Sequence, residues 1–357
     1  MVQNSQRSVR EETKRENDQD IERRRPASKQ RIIENAIFCM GDTNFALMYD
    51  YKNSFWQQIF FDENADYQGE LKFSSVCQVS AKKREFMLTG GCDKDTKEAS
   101  DACFKFPIAQ LKSPKKVSSM KQARYGHALV FINQLVLALG GFNHRDDEAQ
   151  APSTLKACEK YSIKEDEWSP IAPMTQERAY FSACRVKEEF VYVFGGFQNY
   201  DPTSSIEFYN IMLDKWTLLS ICMPLKLAKY GLCKVDDSHL IIAGGLLSES
   251  TSSSKTGNQN LSNSMATSYT CVNTVYKFDC NTLKWSKMAK LNFRRTLYSN
   301  MPLKENGQIF AIGGTTDGIN EVFDSRKKKW NVCQSYTGGL AELGQNDLQT
   351  FAIFGIQ

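Results

Sequence analysis

Groups able to do chemistry are few in this chain and far apart. Its imidazoles are His127, His144 and His239, set in the unlike contexts Arg-Tyr-Gly-His, Gly-Gly-Phe-Asn-His and Asp-Asp-Ser-His. A copper centre takes several imidazoles on one site, so three histidines in different settings predict no metal and no resident cofactor. The patterns Gly-x-Gly-x-x-Gly, P-loop and nucleophile elbow are missing as well, and no catalysis is expected. What does recur is positive charge, because Lys72, Arg124, Arg178, Lys229 and Arg295 (or its neighbour Arg294) each open an apolar segment. If these five cations ring one mouth, they favour an acidic peptide segment of a protein partner, with bidentate contacts from the guanidinium groups. If they cap loops or tie neighbouring segments together, they are structural.

The elements that must position these cations repeat. Gly-Gly pairs stand at Gly90-Gly91, Gly140-Gly141, Gly195-Gly196, Gly244-Gly245 and Gly313-Gly314, and each follows an apolar run such as LVLAL or VYVF. A short apolar run bounded by glycines reads as a buried strand that stops abruptly. Downstream, an aromatic precedes a tryptophan by seven positions: Tyr161 and Trp168, Tyr209 and Trp216, Phe278 and Trp285, Phe323 and Trp330. Tyr49 and Trp56 repeat the pairing behind Gly41-Asp42, and behind Gly90-Gly91 the pair reads Phe104 and Leu111, giving six units. Constant spacing predicts a fixed hairpin between the last two strands of every unit. Length varies instead between the glycines and the aromatic, so insertions gather on one face. The longest, 248–270, is rich in Ser, Thr and Asn and reads as a flexible excursion. His127–Phe142 is apolar, but it is too short for a membrane span, and Asn133-Gln134 marks a hairpin turn inside it.

Gly-Gly pair, polar loop, aromatic strand and Trp-opened strand, in that order, resemble the kelch motif, whose repeats of about 50 residues each build one blade of a β-propeller. The resemblance covers Arg31–Gln357. It implies an all-β, six-bladed propeller with blades near 71–115, 123–174, 178–224, 228–290 and 294–335. A blade near 31–62 would be completed by a C-terminal strand at 348–357 that closes the ring. It also implies that loops between the second and third strands (b–c) and between units (d–a) share one face, where peptides are commonly bound. Residues 1–30 are charged and polar and read as a disordered arm ahead of this domain.

The resemblance implies a non-catalytic protein-interaction module or scaffold. One alternative is a substrate adaptor for a ubiquitin ligase, although families with that role usually carry a BTB or F-box domain ahead of the repeats, which a 30-residue charged arm does not supply. The other is a metal-dependent oxidase of the galactose oxidase type or a carbohydrate-binding propeller. A net charge of +4 over 357 residues argues against a nucleic-acid surface. Eleven cysteines, odd in number and without a Cys-x-x-Cys pair, point to reduced strand residues in a cytoplasmic or nuclear eukaryotic protein, and no apolar leader or membrane contact is expected.

Overall fold

The computed structural model describes residues 36–40, 44–50, 53, 55–69, 71–80, 85–93, 95–96, 98–107, 110, 112–143, 153–249, 268–297, 300–304, 306–315, 317–333 and 352–355. They form an all-β propeller of antiparallel sheets. Five sheets have four strands, here called a to d from the centre outward. The second sheet uses Ser75–Ser80, Glu85–Thr89, Cys103–Pro107 and Lys115–Val117, and the third uses Ala128–Ile132, Leu135–Leu139, Cys158–Ser162 and Glu167–Ile171. The fourth uses Ser182–Val186, Phe190–Phe194, Ser205–Asn210 and Lys215–Cys222, and the fifth Gly231–Lys234, His239–Ala243, Val275–Asp279 and Lys284–Lys287. In the first sheet Ala352–Gly355 lies beside Ala36–Met40, which is followed by Phe45–Asp50 and Phe55–Phe60. Ile37 faces Gly355 and Cys39 faces Ile353.

Why the aromatic precedes the tryptophan by seven is visible in the register. Tyr49 stands directly opposite Trp56, Tyr161 opposite Trp168, Tyr209 opposite Trp216, Phe278 opposite Trp285 and Phe323 opposite Trp330. The paired rings lie 4.7–5.2 Å apart in four of these units and 4.8 Å apart at Tyr49–Trp56. Three tryptophans also reach the preceding sheet: Trp168 donates to Ser118 O at 2.9 Å, Trp216 to Ala172 O at 2.8 Å and Trp330 to Ala289 O at 3.0 Å. Each such ring fills the gap between sheets, and cutting it to Ala should cost about 3–5 kcal/mol.

The second sheet departs from this pattern. Phe106, opposite Phe86, takes the aromatic position, and Phe104 sits two residues earlier, facing Lys116 as well as Leu88. The expectation that Phe104 and Leu111 replace the aromatic and the tryptophan is therefore corrected at Phe104, while Leu111 lies outside the described residues. A longer c–d turn displaces the register, and Tyr67 from the preceding linker packs on Phe104 at 5.0 Å.

The glycine pairs mark the place where one sheet meets the next. At Gly140 (φ 57°) a Cβ would stand 2.5 Å from Arg178 O of the fourth sheet, and Gly141 N donates to that same carbonyl at 2.9 Å. A side chain fits neither the close approach nor the left-handed backbone. Asn133 and Gln134 both have positive φ, as a two-residue hairpin turn requires.

Apolar clusters join the second and third sheets, the third and fourth, the fourth and fifth, the fifth and sixth, and the sixth and first. Among the described residues the sixth sheet has three strands, Ile309–Ala311, Asn320–Asp324 and Lys329–Cys333. Residues 300–304, just ahead of them, pair irregularly with both neighbours: Leu303 bridges Ile309 in the sixth sheet, Phe310 N donates to Pro302 O at 3.0 Å and Lys304 N to Gln308 O at 2.8 Å. Asn300 bridges Leu232 in parallel, and Met301 N donates to Leu232 O at 2.6 Å. Pro302 has no N–H to give to a ladder, which accounts for the irregular pairing.

Candidate interaction surface

The predicted cations do not form a mouth. Arg124, Arg178 and Arg295 are each 0 % exposed. Each guanidinium is held by a glutamate on strand c of its own sheet: Arg124 by Glu159 at 2.6 Å, Arg178 by Glu207 at 2.5 Å and Arg295 by Glu321 at 2.7 Å. Further donors go to main-chain carbonyls, for example Arg124 Nη1 to Gly140 O at 2.8 Å and Ala157 O at 2.9 Å, while Arg178 Nε and Arg295 Nε have no partner among the described residues. Each carboxylate also anchors the loop that enters its sheet, as Glu207 does by accepting from Thr175 N, Thr175 Oγ1 and Gln176 N. A buried charge needs a counter-ion of this kind. These arginines therefore clip loop, inner strand and third strand together, and none offers its guanidinium to a partner.

Backbone bonding also shows that the five cations are not equivalent. Gly91, Gly141, Gly196 and Gly245 donate to the carbonyls of Arg124, Arg178, Leu227 and Arg295. Leu227 thus holds the arginine position in the fifth sheet, and Lys229 sits two residues further on. The glutamate position, opposite the residue two before each glycine pair, is Tyr276 in the fifth sheet and Phe104 in the second. Charge disappears from both partners of the clip together, so no ion is left buried alone.

Lys229 belongs to a second ring. Gly126 N donates to Phe73 O, Tyr180 N to Gly126 O, Lys229 N to Tyr180 O and Leu297 N to Lys229 O, at 2.7–3.0 Å. This chain of bonds steps from sheet to sheet around the end of the channel that carries the d–a and b–c loops. Phe73, Gly126, Tyr180 and Lys229 all take φ between 49° and 59°. The left-handed conformation costs a non-glycine residue about 1–2 kcal/mol, and it turns these side chains toward the loop face.

An aromatic surface grows from that ring. Tyr125, Phe142 and Phe197 are buried and form its base. On them lie Phe73, Tyr180, Tyr200 and Tyr269, all partly exposed: Phe73 to Tyr180 at 5.5 Å, Phe142 to Tyr200 at 6.0 Å, Phe197 to Tyr269 at 5.4 Å. Lys229 Nζ lies 4.5 Å over the Tyr180 ring, and burial pushes its amine down to about 8. The signal for this surface stood in the sequence, in the aromatic after two glycine pairs (Gly141-Phe142, Gly196-Phe197) and in Tyr125 and Tyr180 at the openings of two units. It was masked by the more regular spacing of the basic residues.

Tyr269 comes from the insertion expected to be flexible throughout. Its ends are instead paired strands, Leu246–Glu249 with Ser268–Cys271, and 250–267 lies outside the described residues. Also outside them are 1–30, Gly41-Asp42, His144 and Asp146-Asp147-Glu148. Lys72 flanks Phe73 and pairs with Cys92 in a short ladder. His127 is buried just ahead of the inner strand of the third sheet, with Nε2 2.8 Å from Thr89 Oγ1, and burial, aided by Arg124, holds its imidazole well below the usual range. His239 lies at the opposite end of the strands, opening the second strand of the fifth sheet beside Asp236 at 2.8 Å. Among the described residues no group of three or more His, Cys, Asp or Glu is placed to hold a metal.

Residues 123–175 and 177–223, the third and fourth units, match the sequence profile of the Kelch motif. Together with the propeller and its repeated register, this identifies those two units as kelch repeats. It is 31% identical to Kelch-like protein 7 of Rattus norvegicus over 121 residues, 34% of this chain and 19% of that protein. It is 23% identical to Kelch-like protein 25 of Xenopus tropicalis over 281 residues, 76% of this chain and 42% of that protein. Kelch repeat and BTB domain-containing protein 2 of cowpox virus, strain Brighton Red, is 29% identical over 131 residues, 37% of this chain and 22% of that protein. The matches thus span less than half the length of each relative.

Proposed function

We propose that this chain is a non-catalytic protein-interaction module, a six-bladed propeller closed by Ala352–Gly355 beside Ala36–Met40, that docks a partner protein on the face carrying its d–a and b–c loops. The observation that carries the reading is the aromatic surface around the channel mouth, where Phe73, Tyr180, Tyr200 and Tyr269 surround Lys229. Large amphipathic rings on a rigid base supply contact area at low entropic cost and are enriched at binding hot spots. Lys229 adds a partly desolvated cation, so an acidic residue of the partner fits the centre. Lys72 borders the same face. The three arginines support the surface from beneath and do not touch the partner. Cys39, Cys103, Cys158, Cys184 and Cys233 are buried as thiols, which supports a reducing compartment such as the cytoplasm or nucleus.

A second reading is substrate recognition for a ubiquitin ligase recruited through another subunit. It is favoured by relatives in which the matched repeats are part of a longer chain, one of them named for a BTB domain. Partner capture by wild type, Tyr180→Ser/Tyr200→Ser and, at the opposite end, Met212→Ser/Leu213→Ser tests the docking face. The first double variant should lose partners that the second keeps. Equal loss in both, or in neither, would refute it.

A further inference from the structure

The inner strands of the second to fifth sheets are successive neighbours around a central channel. Asn300, carried inward by the irregular segment of the sixth unit, divides it, and Asn300 Nδ2 reaches Ala183 O at 3.4 Å. Toward the loop face a space of about 30 Å³ remains beside Ser75, His127 and Ser182. Toward the hairpin turns the channel opens into a chamber of about 400 Å³. That lies within the range of small-molecule pockets, about 300–1,000 Å³.

The chamber wall includes Gln78, Phe131, Arg185, Lys234, Asp236 and Asn300. Its spare capacity is for donating hydrogen bonds. Gln78 Nε2 is buried and has no partner among the described residues. Among the described residues Arg185 makes a single ion pair, to Glu188 at 3.4 Å, whose side chain is 74% exposed. Lys234 contacts Asp237, itself 73% exposed. Pairs this open are worth little and yield readily to a better-placed anion. The one carboxylate in the wall is already occupied: Asp236 accepts from Ser238 N, His239 N and His239 Nδ1 at 2.8–2.9 Å. An unpaired buried donor costs free energy that a ligand acceptor would recover.

We propose that this chamber binds a small organic oxyanion, a carboxylate or a phosphate ester of metabolite size, with Arg185 and Lys234 holding its charge and Gln78 donating to a further oxygen. The site is at the opposite end of the channel from the aromatic surface, so it stands or falls independently of the docking reading.

Isothermal titration calorimetry of the full chain with citrate, and separately with glycerol 3-phosphate, tests it. At least one probe should bind saturably, and Arg185→Met and Gln78→Leu should each weaken binding about tenfold or more, while Tyr200→Ser leaves it unchanged. Lys234→Met serves where either variant fails to fold, as judged by thermal unfolding. Binding of neither probe, or unchanged affinity in the folded chamber variants, would overturn the proposal.

Discussion

Replacing Arg178 by Leu together with Glu207→Tyr should cost clearly less than the sum of the two single changes. Arg178→Leu alone removes donors to Gly195 O at 2.8 Å, Ser205 O at 3.4 Å and Glu207 Oε1 at 2.5 Å, and leaves a carboxylate 0 % exposed without its cation. Breaking a buried pair on one side costs about 3–5 kcal/mol. Glu207 retains Thr175 N, Thr175 Oγ1 and Gln176 N, so a value near 3 is expected, or a midpoint lowered by roughly 6 °C. The double variant copies the fifth sheet, where Leu227 and Tyr276 stand at these positions. It loses the loop bonds to the Glu207 carboxylate, about 1.5–3 kcal/mol each, as Glu207→Tyr alone does, but buries no lone charge. A double-mutant cycle by urea unfolding should therefore give a coupling of about 2 kcal/mol in favour of the paired replacement. Simple additivity of the two single losses would refute the clip as the reason for the arginines.

Three further outcomes follow from the same geometry. His127 is held neutral by burial, whereas in the unfolded chain it binds a proton as pH falls through its ordinary range. The unfolded state then carries more protons, so stability should fall on acidification from about 6.5 downward, and His127→Asn should reduce that slope in pH-dependent unfolding. The Lys229 amine should titrate near 8 by NMR of a selectively labelled side chain. Its folded value lies below the unfolded one, so its contribution to stability should rise as pH passes from about 8 toward the unfolded lysine value; titration at the ordinary lysine value would contradict its burial over Tyr180. Because Cys39 faces Ile353, Ile353→Cys should form a disulfide with Cys39 on oxidation, detected by peptide mapping. Failure to cross-link would count against closure of the ring.

Much of the architecture was legible because it rests on spacings that physics holds constant. A cross-strand pair fixes Tyr161 seven residues before Trp168, and a close carbonyl such as Arg178 O demands Gly140 and Gly141. Positions set by loops of variable length were not legible. Lys229 resembles Arg178 in sequence but follows a leucine in the arginine position, and the longer turn of the second sheet moves the aromatic from Phe104 to Phe106. The charge of Arg124, Arg178 and Arg295 suggested a ligand surface, and only the glutamates across each sheet reveal that these ions are spent inside. The aromatic surface arises from residues distant in sequence, Phe73 to Tyr269, which the propeller alone brings together.

Placing a photoreactive benzoylphenylalanine at Tyr200, 36% exposed on the loop face, and separately at Leu213, 70% exposed in a hairpin turn at the other end, tests the docking surface most directly. Illumination in cells followed by mass spectrometry should yield a covalent partner from position 200 that Tyr180→Ser abolishes, and none in common from position 213. The same partner captured from position 213, or capture from position 200 that survives Tyr180→Ser, would contradict the account.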